Sequence, residues 1–270
     1  MSYADQLFIK NCKDILENGV WDTDHEVRPV WEDGTPAHTI KKFGIVNRYD
    51  LTKEFPVITL RRTYFKSAVD ELLWIWQKKS NNVHDLKSHI WDSWADETGS
   101  IGKAYGYQLA KYHQVDTLLK TLKENPQSRR MVVSMWNVED LPEMALQPCA
   151  FLTMWDVSAD NRLNCMLVQR SGDMGLGIPF NMAQYAALVC MIAQVSGLRP
   201  GLFTHVINNA HIYENHVEAL KTQLARRNEA YPAPRLRLNP EIKDFYDFKP
   251  EDIVLENYQH LGKLPMKVSV

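Results

Sequence analysis

The chain has 270 residues, 45% of them hydrophobic and 24% charged, with a formal net charge of −2. This is an ordinary globular composition, long enough to bury a sizeable core, and its near-neutral charge gives no global attraction to nucleic acid or to an anionic membrane. The four cysteines, at 12, 149, 165 and 190, form neither a CxxC pair nor a zinc-finger spacing, and no metal site is expected.

The first residues, MSYADQLFIKNCKD, are amphipathic and charged, unlike the apolar run of a secretion signal, and no run of about 18 apolar residues follows. A cytoplasmic, reducing setting with free thiols is expected. Periodicity predicts a first helix over 3–18, with Leu7, Phe8, Ile9, Ile15 and Leu16 on its inner side. Residues 21–38, containing EDGTPAH, read as a loop, and 39–50 and 56–61 as strands. A helix is predicted over 66–77 and another over 114–124, the latter closed by Asn125-Pro126. Residues 129–136 and 150–157 read as strands. A turn at Ala159-Asp160-Asn161 leads into a strand over 162–171. The stretch 181–197 is a long apolar helix with few charges, hence central and buried. A strand over 204–213 and a helix over 214–226 follow. Strands and helices mix without a regular βαβ repeat, so the expected fold class is mixed α/β (α+β), one domain over 1–270. No GxGxxG or P-loop supports a dinucleotide or nucleoside-triphosphate site.

Chemistry gathers in a few places. Cys149 follows Pro148 at a strand start; QRSGDMGLGIPFN (169–181) brings Arg170, Ser171, Asp173 and Asn181 close together; and His211 and Tyr213 share one face of a strand. Arg129-Arg130 opens another strand, and Glu71 interrupts an apolar helix. Each has a plain structural alternative: a buried sulfur, a turn cap at Asp173, a satisfied His–Tyr pair, a solvated strand end, a paired carboxylate. Trp74, Trp76, Trp91 and Trp94 read as core or ligand-facing packing rather than a dedicated cage. Together the set suggests a nucleoside-monophosphate site. Arginines bind a phosphate dianion bidentately and stabilise a nearby thiolate, while an asparagine amide suits an imide edge.

The stretches LQPCAFLTMWDV, QRSGDMGLGIPFNMAQYAAL and NNAHIYENH resemble the folate-dependent thymidylate synthase family. DELLWIWQ, HIWDSWADETGSIGKAYGYQ, NPQSRRMVVSMWN and the closing PMKVSV extend the likeness over nearly the whole chain. The resemblance implies a large bent sheet flanked by helices and a homodimer packed sheet to sheet. It implies reductive methylation of dUMP to dTMP, with 5,10-methylenetetrahydrofolate giving both the one-carbon unit and a hydride, and Cys149 attacking uracil C6. It implies Arg28 and Arg170 on the phosphate, with Arg129 and Arg130 from the neighbouring subunit and Ser171 beside them. Asn181 would read the uracil edge, His211 and Tyr213 would hold the 3′-hydroxyl, and Gln169 and Gly172 would complete the nucleotide shell. Glu71 would move protons through ordered water with Tyr105 as its polar partner. Asp173 would contact the pterin, Tyr64, Trp91, Gly177 and Phe180 would line its site, and Ser269 and Val270 would close over it. The sequence departs from the family in having Ala150 where histidine is common and Asn208-Asn209 where Gly-Asp is usual. Leu60-Arg61 and Tyr64 replace the usual Thr-Lys and a frequent histidine, and the Arg28 loop is longer than usual.

Two alternatives stand beside this reading. A dUMP or dCMP hydroxymethylase on the same fold would quench the same intermediate with water; a dCMP enzyme calls for aspartate at the position of Asn181. A nucleic-acid-binding protein needs a basic stripe, which the arginine spacing does not provide.

Overall fold

The Ser2 hydroxyl accepts a hydrogen bond from the Asp5 amide and so caps the first helix, α1 (Tyr3–Asn18). Phe8, Cys12 and Ile15, at helical spacing, face the core. In this computed structural model, which describes residues 1–269, α1 is followed by β1 (Val20–Trp21) and β2 (Thr39–Asp50). Next come α2 (Phe65–Trp76), α3 (Gly106–Lys111) and α4 (Gln114–Glu124). The central part of the chain forms β3 (Val132–Ser134), β4 (Ala150–Val157), β5 (Arg162–Asp173), α5 (Gly177–Val195) and β6 (Arg199–Tyr213). The chain closes with α6 (Val217–Ala225) and a small hairpin, β7 (Arg235–Leu238) with β8 (Ile253–Glu256).

The main sheet is mixed, with six strands in the order β1-β2-β6-β5-β4-β3. Among the described residues only β5 and β6 pair in parallel; α5 connects them, as a parallel pair requires a crossover. Their register sets Ser171 opposite Asn209 and Asp173 opposite His211, so the carboxyl ends of both strands deliver their polar residues to one place. The inner face carries Leu163, Cys165 and Leu167 of β5 and Phe203 and Ile207 of β6, all buried under α5, on which α2 packs. The outer face carries Val46, Met154, Met166 and Leu202, between 37% and 54% exposed.

The mixed α/β expectation holds, and several predicted elements change. Residues 56–61 are fully buried but are not a strand. Their backbone bonds are irregular: the Asp5 carboxylate accepts from the Thr59 amide and hydroxyl, Thr59 O accepts from Leu261 N, and Tyr258 Oη donates to Ile58 O. The predicted strand over 129–136 is paired only at 132–134. The apolar helix starts at Gly177, not 181, and the helix predicted over 214–226 opens with a 3₁₀ turn, Glu214–His216. By length and composition α5 is apolar enough to cross a membrane, against the expectation that no such run exists. Its mean hydropathy is 1.3, and 83% of it is buried inside the protein, so it is the core helix of this sheet.

Candidate active site

Cys149 immediately precedes β4, and a β-bulge between Ala150 and Leu152 bends the strand there. The half-buried thiol is held from two sides. Arg170 donates through its guanidinium to the carbonyls of Pro148 and Gln147, at 3.1 and 2.6 Å, and one of its nitrogens lies 3.7 Å from Cys149 Sγ. The Cys149 amide donates to Tyr105 Oη at 3.1 Å. Tyr105 has a φ of +46°, a strained conformation for a bulky residue, of the kind that collects at functional sites. Burial pushes the Cys149 thiol above its ordinary range, while Arg170, the Tyr105 phenol and Arg28 pull the other way. The expected stabilisation of the thiolate by arginines is therefore outweighed by burial within a single chain.

Glu71, on α2, is buried, and both of its oxygens accept: Oε1 from the Trp91 indole and Oε2 from the Gln184 amide. Burial raises its carboxyl, against the pull of these two donors. Tyr105 is thus not the hydrogen-bond partner of Glu71; it serves the Cys149 backbone and packs its ring edge-on against Trp91 at 5.0 Å.

A chain of amides runs from Glu71 to Asn181 and beyond. Gln184 Nε2 donates to Glu71 and to Ala68 O, so Gln184 Oε1 is left to accept from Asn181 Nδ2 at 3.3 Å. Asn181 Oδ1 accepts from Gln169 Nε2 at 3.0 Å, and Gln169 Oε1 faces His205 Nε2 at 2.8 Å. Burial pushes His205 down to about 3, so the ring is neutral and its proton sits on Nε2. Every amide in the row then has one orientation, with Asn181 showing its amino group toward Gln184 and its oxygen toward Gln169.

Asp173 ends β5. Its carboxylate accepts from the Gly175 and Leu176 amides at 2.7 and 2.9 Å, which is the turn-cap alternative realised. Burial would raise its pKa, but His216, His211 and the Gly175 amide together hold it below the ordinary carboxylate range. His211 and Tyr213 meet edge-on at 5.2 Å, and burial lowers the His211 imidazole. Ser171 and Gly172 lie in β5; at Gly172 a Cβ would fall 2.6 Å from Ile178 and 2.7 Å from Ile207, so a larger residue would have to push these side chains aside. Gly177 and Phe180 lie in the first turns of α5. Tyr64 is exposed at the start of α2 under the Arg62 guanidinium, 4.7 Å from its ring centre. Arg28 lies exposed in the segment between β1 and β2, with its charge felt at both Cys149 and Tyr213. Burial raises the Tyr213 phenol, and the nearby Ser269 pulls the other way; Val270 lies outside the described residues.

Arg129 and Arg130 stand apart. Met131 O accepts from Trp155 N, which sets the doublet beside the far end of β4, about 20 Å from Cys149 at strand rise. Both are exposed, and neither guanidinium has a hydrogen-bond or ion-pair partner among the described residues. Gln184, His205 and His216 were not anticipated from the sequence. The i, i+3 spacing of Asn181 and Gln184 on one helix was the available signal for Gln184.

A half-buried cysteine beside an arginine, with buried carboxylates and an oriented asparagine amide at the ends of two parallel strands, marks an enzyme site built for covalent chemistry on a small polar substrate. The thymidylate synthase family model matches residues 6–270. A thymidylate synthase of Clostridium beijerinckii is 52% identical over the full length of both chains, and thymidylate synthase 1 of Bacillus subtilis strain 168 is 44% identical over the full length of both. The solved structure of the thermostable thymidylate synthase A from Bacillus subtilis superposes with a TM-score of 0.94 at 44% identity, covering 98% of this chain and 99% of that one. The chain belongs to the thymidylate synthase family, and it is a methyltransferase of that family.

Proposed function

We propose that Cys149 is the nucleophile of a reductive methylation of dUMP to dTMP, with 5,10-methylenetetrahydrofolate as the co-substrate. The observation that supports this best is the Arg170–Cys149–Tyr105 contact at the mouth of β4, with the oriented Asn181 amide in the adjoining row. Cys149 Sγ adds to C6 of the uracil ring, which makes C5 nucleophilic toward the one-carbon unit. Glu71 takes part in removing the C5 proton through water. Elimination of tetrahydrofolate leaves an exocyclic methylene, a hydride from that tetrahydrofolate reduces it, and the thiolate leaves, giving dTMP and dihydrofolate.

Arg28, Arg170 and Ser171 hold the phosphate, joined by Arg129 and Arg130 of a second copy. His211 and Tyr213 hold the 3′-hydroxyl, and Asn181, with Gln169 and Gly172 behind it, reads O4 and N3–H. Asp173 anchors the pterin; Tyr64, Trp91, Gly177 and Phe180 line its site, and Ser269 with Val270 covers it. The active unit is a homodimer of single-domain chains (1–270), for which the apolar outer face of the sheet offers the surface. The free cysteines fit a cytoplasmic setting.

The test is mass analysis of the nucleotide formed from dUMP and methylenetetrahydrofolate, with dihydrofolate followed by absorbance. Equal amounts of dTMP and dihydrofolate are expected. Release of 5-hydroxymethyl-dUMP and tetrahydrofolate instead would overturn the reading. Cys149→Ser abolishes turnover while dUMP binding by calorimetry survives, because the phosphate and sugar contacts remain; near-normal turnover would refute the nucleophile.

A further inference from the structure

The imidazole of His216 is 1% exposed and meets two different parts of the site. Its Nε2 lies 2.7 Å from the carbonyl oxygen of Lys267. A carbonyl only accepts, so Nε2 carries the proton and donates. Its Nδ1 faces Asp173 Oδ1 at 3.6 Å and has no hydrogen-bond partner, an unusual state for a buried nitrogen. The ring is fixed edge-on by Trp31 at 5.9 Å and by Tyr213 at 5.5 Å.

Gly175 shows how tightly these groups converge. A Cβ there would strike His216 Nδ1 and would also fall 3.1 Å from both Asp173 Oδ1 and Met266 Sδ. The carboxyl-terminal segment therefore docks at two points: Met266 beside Gly175 and the Lys267 carbonyl on His216.

We propose that His216 is a positioning residue that joins the carboxyl-terminal segment to Asp173 through the two nitrogens of one ring. Nε2 fixes the segment. A shift of less than about 1 Å brings Nδ1 and Asp173 Oδ1 to hydrogen-bond distance, so that one ring offers a nitrogen to each partner. A folate that engages Asp173 then acts, through the ring, on the segment that covers it. The proposal rests on the reading of Asp173 as the pterin anchor.

Two substitutions separate the two nitrogens. Glutamine places an amide near the position of Nε2, so His216→Gln keeps a donor for Lys267 and removes the group facing Asp173. Asparagine places its amide near Nδ1, so His216→Asn keeps a partner for Asp173 and drops the Lys267 bond. Hydrogen exchange of the amides over 264–269, measured on the protein without ligands, reads the segment directly. Steady-state KM for methylenetetrahydrofolate, kcat for dTMP, and the share of water-quenched product read the coupling.

His216→Asn is expected to raise exchange over 264–269 and to lower kcat roughly fivefold or more, with hydroxymethylated nucleotide among the products. His216→Gln is expected to keep wild-type exchange and raise the folate KM by roughly fivefold. If neither variant changes exchange or product partition, the proposal falls. If both lose activity equally and in step with a lower Tm, His216 is a packing residue and the proposal also falls. Asp173→Ala is the control. An unchanged folate KM there refutes the anchor reading alone, because the exchange difference between the two His216 variants still tests the Lys267 bond.

Discussion

The carboxyl of Glu71 shows how a residue's surroundings set its chemistry. Burial raises its pKa although Trp91 and Gln184 both donate to it. A general base works ionised, so the rate falls as pH drops through its pKa, and raising that pKa moves the acid limb of the kcat profile toward neutrality. Glu71→Gln is expected to lower kcat by about 10²–10⁴-fold and to remove that limb. Trp91→Phe deletes one donor to the charged form and is expected to move the limb to higher pH. Profiles that superpose for wild type and both variants would show that Glu71 does not titrate in the rate-limiting step. Asn181 depends on the same row of amides. Gln184 cannot turn its oxygen toward Glu71 and Ala68 O, so a carboxylate introduced by Asn181→Asp would face Gln184 Oε1 with no proton between them. A mispaired buried polar group costs about 1–3 kcal/mol. Asn181→Asp is expected to lower kcat/KM for dUMP roughly ten- to a hundredfold and to raise turnover of dCMP, whose amino group donates. An unchanged preference for dUMP would place base reading elsewhere.

At the scale of elements, β5 carries both structure and site, and its two halves respond differently to substitution. Cys165 is buried in the middle of the strand with its thiol pushed well above the ordinary range, and nothing nearby offers it a charge. Cys165→Ser buries a hydroxyl among apolar groups and is expected to cost about 1–3 kcal/mol of stability in chemical denaturation, with kcat nearly unchanged. A fall in kcat without a fall in stability would make Cys165 part of the catalytic machinery. The contrast with Cys149 was legible in sequence, since one cysteine sits inside an apolar run and the other after a proline beside polar clusters. The alternation of β4, β5 and β6 and the apolar run of α5 were legible for the same reason: each element's burial is written at its own period. Residues 56–61 were misread because VITL is β-branched and apolar, yet its backbone partners are Asp5, Tyr258 and Leu261, far away in the chain. The hydrogen-bond partners of Glu71 were not legible for a related reason. Trp91 and Gln184 reach it only because α2 packs on α5 and the segment between α2 and α3 folds back over them, and local pattern carries no record of that packing.

For the molecule as a whole, the proposed phosphate ligands do not all lie beside the cysteine of their own chain. Arg28 and Arg170 act on Cys149, whereas Arg129 and Arg130 lie about 20 Å away along β4, exposed and without partners among the described residues. The same sheet presents Val46, Val132, Met154, Met166 and Leu202 on its outer side. An apolar sheet face of this kind offers a surface to a second copy, and a two-fold pair is the commonest arrangement. In such a dimer each doublet serves the opposite site, and the two defects can be placed on different chains. A chain with Arg129→Ala and Arg130→Ala keeps its cysteine but starves its partner's site; a Cys149→Ser chain keeps its arginines but has no nucleophile. Each homodimer is expected to be inactive. In a mixed dimer, the intact cysteine of the first chain meets the intact arginines of the second, while the other site carries both defects. Random exchange of equal amounts makes half of the dimers mixed, each with one working site of two, so the mixture is expected to recover roughly a quarter of wild-type activity. The measurement is dTMP formation before and after subunit exchange, with exchange confirmed by native mass spectrometry. Confirmed exchange with no recovery would return Arg129 and Arg130 to the site of their own chain, and would require β3 and the segment before it to move toward Cys149.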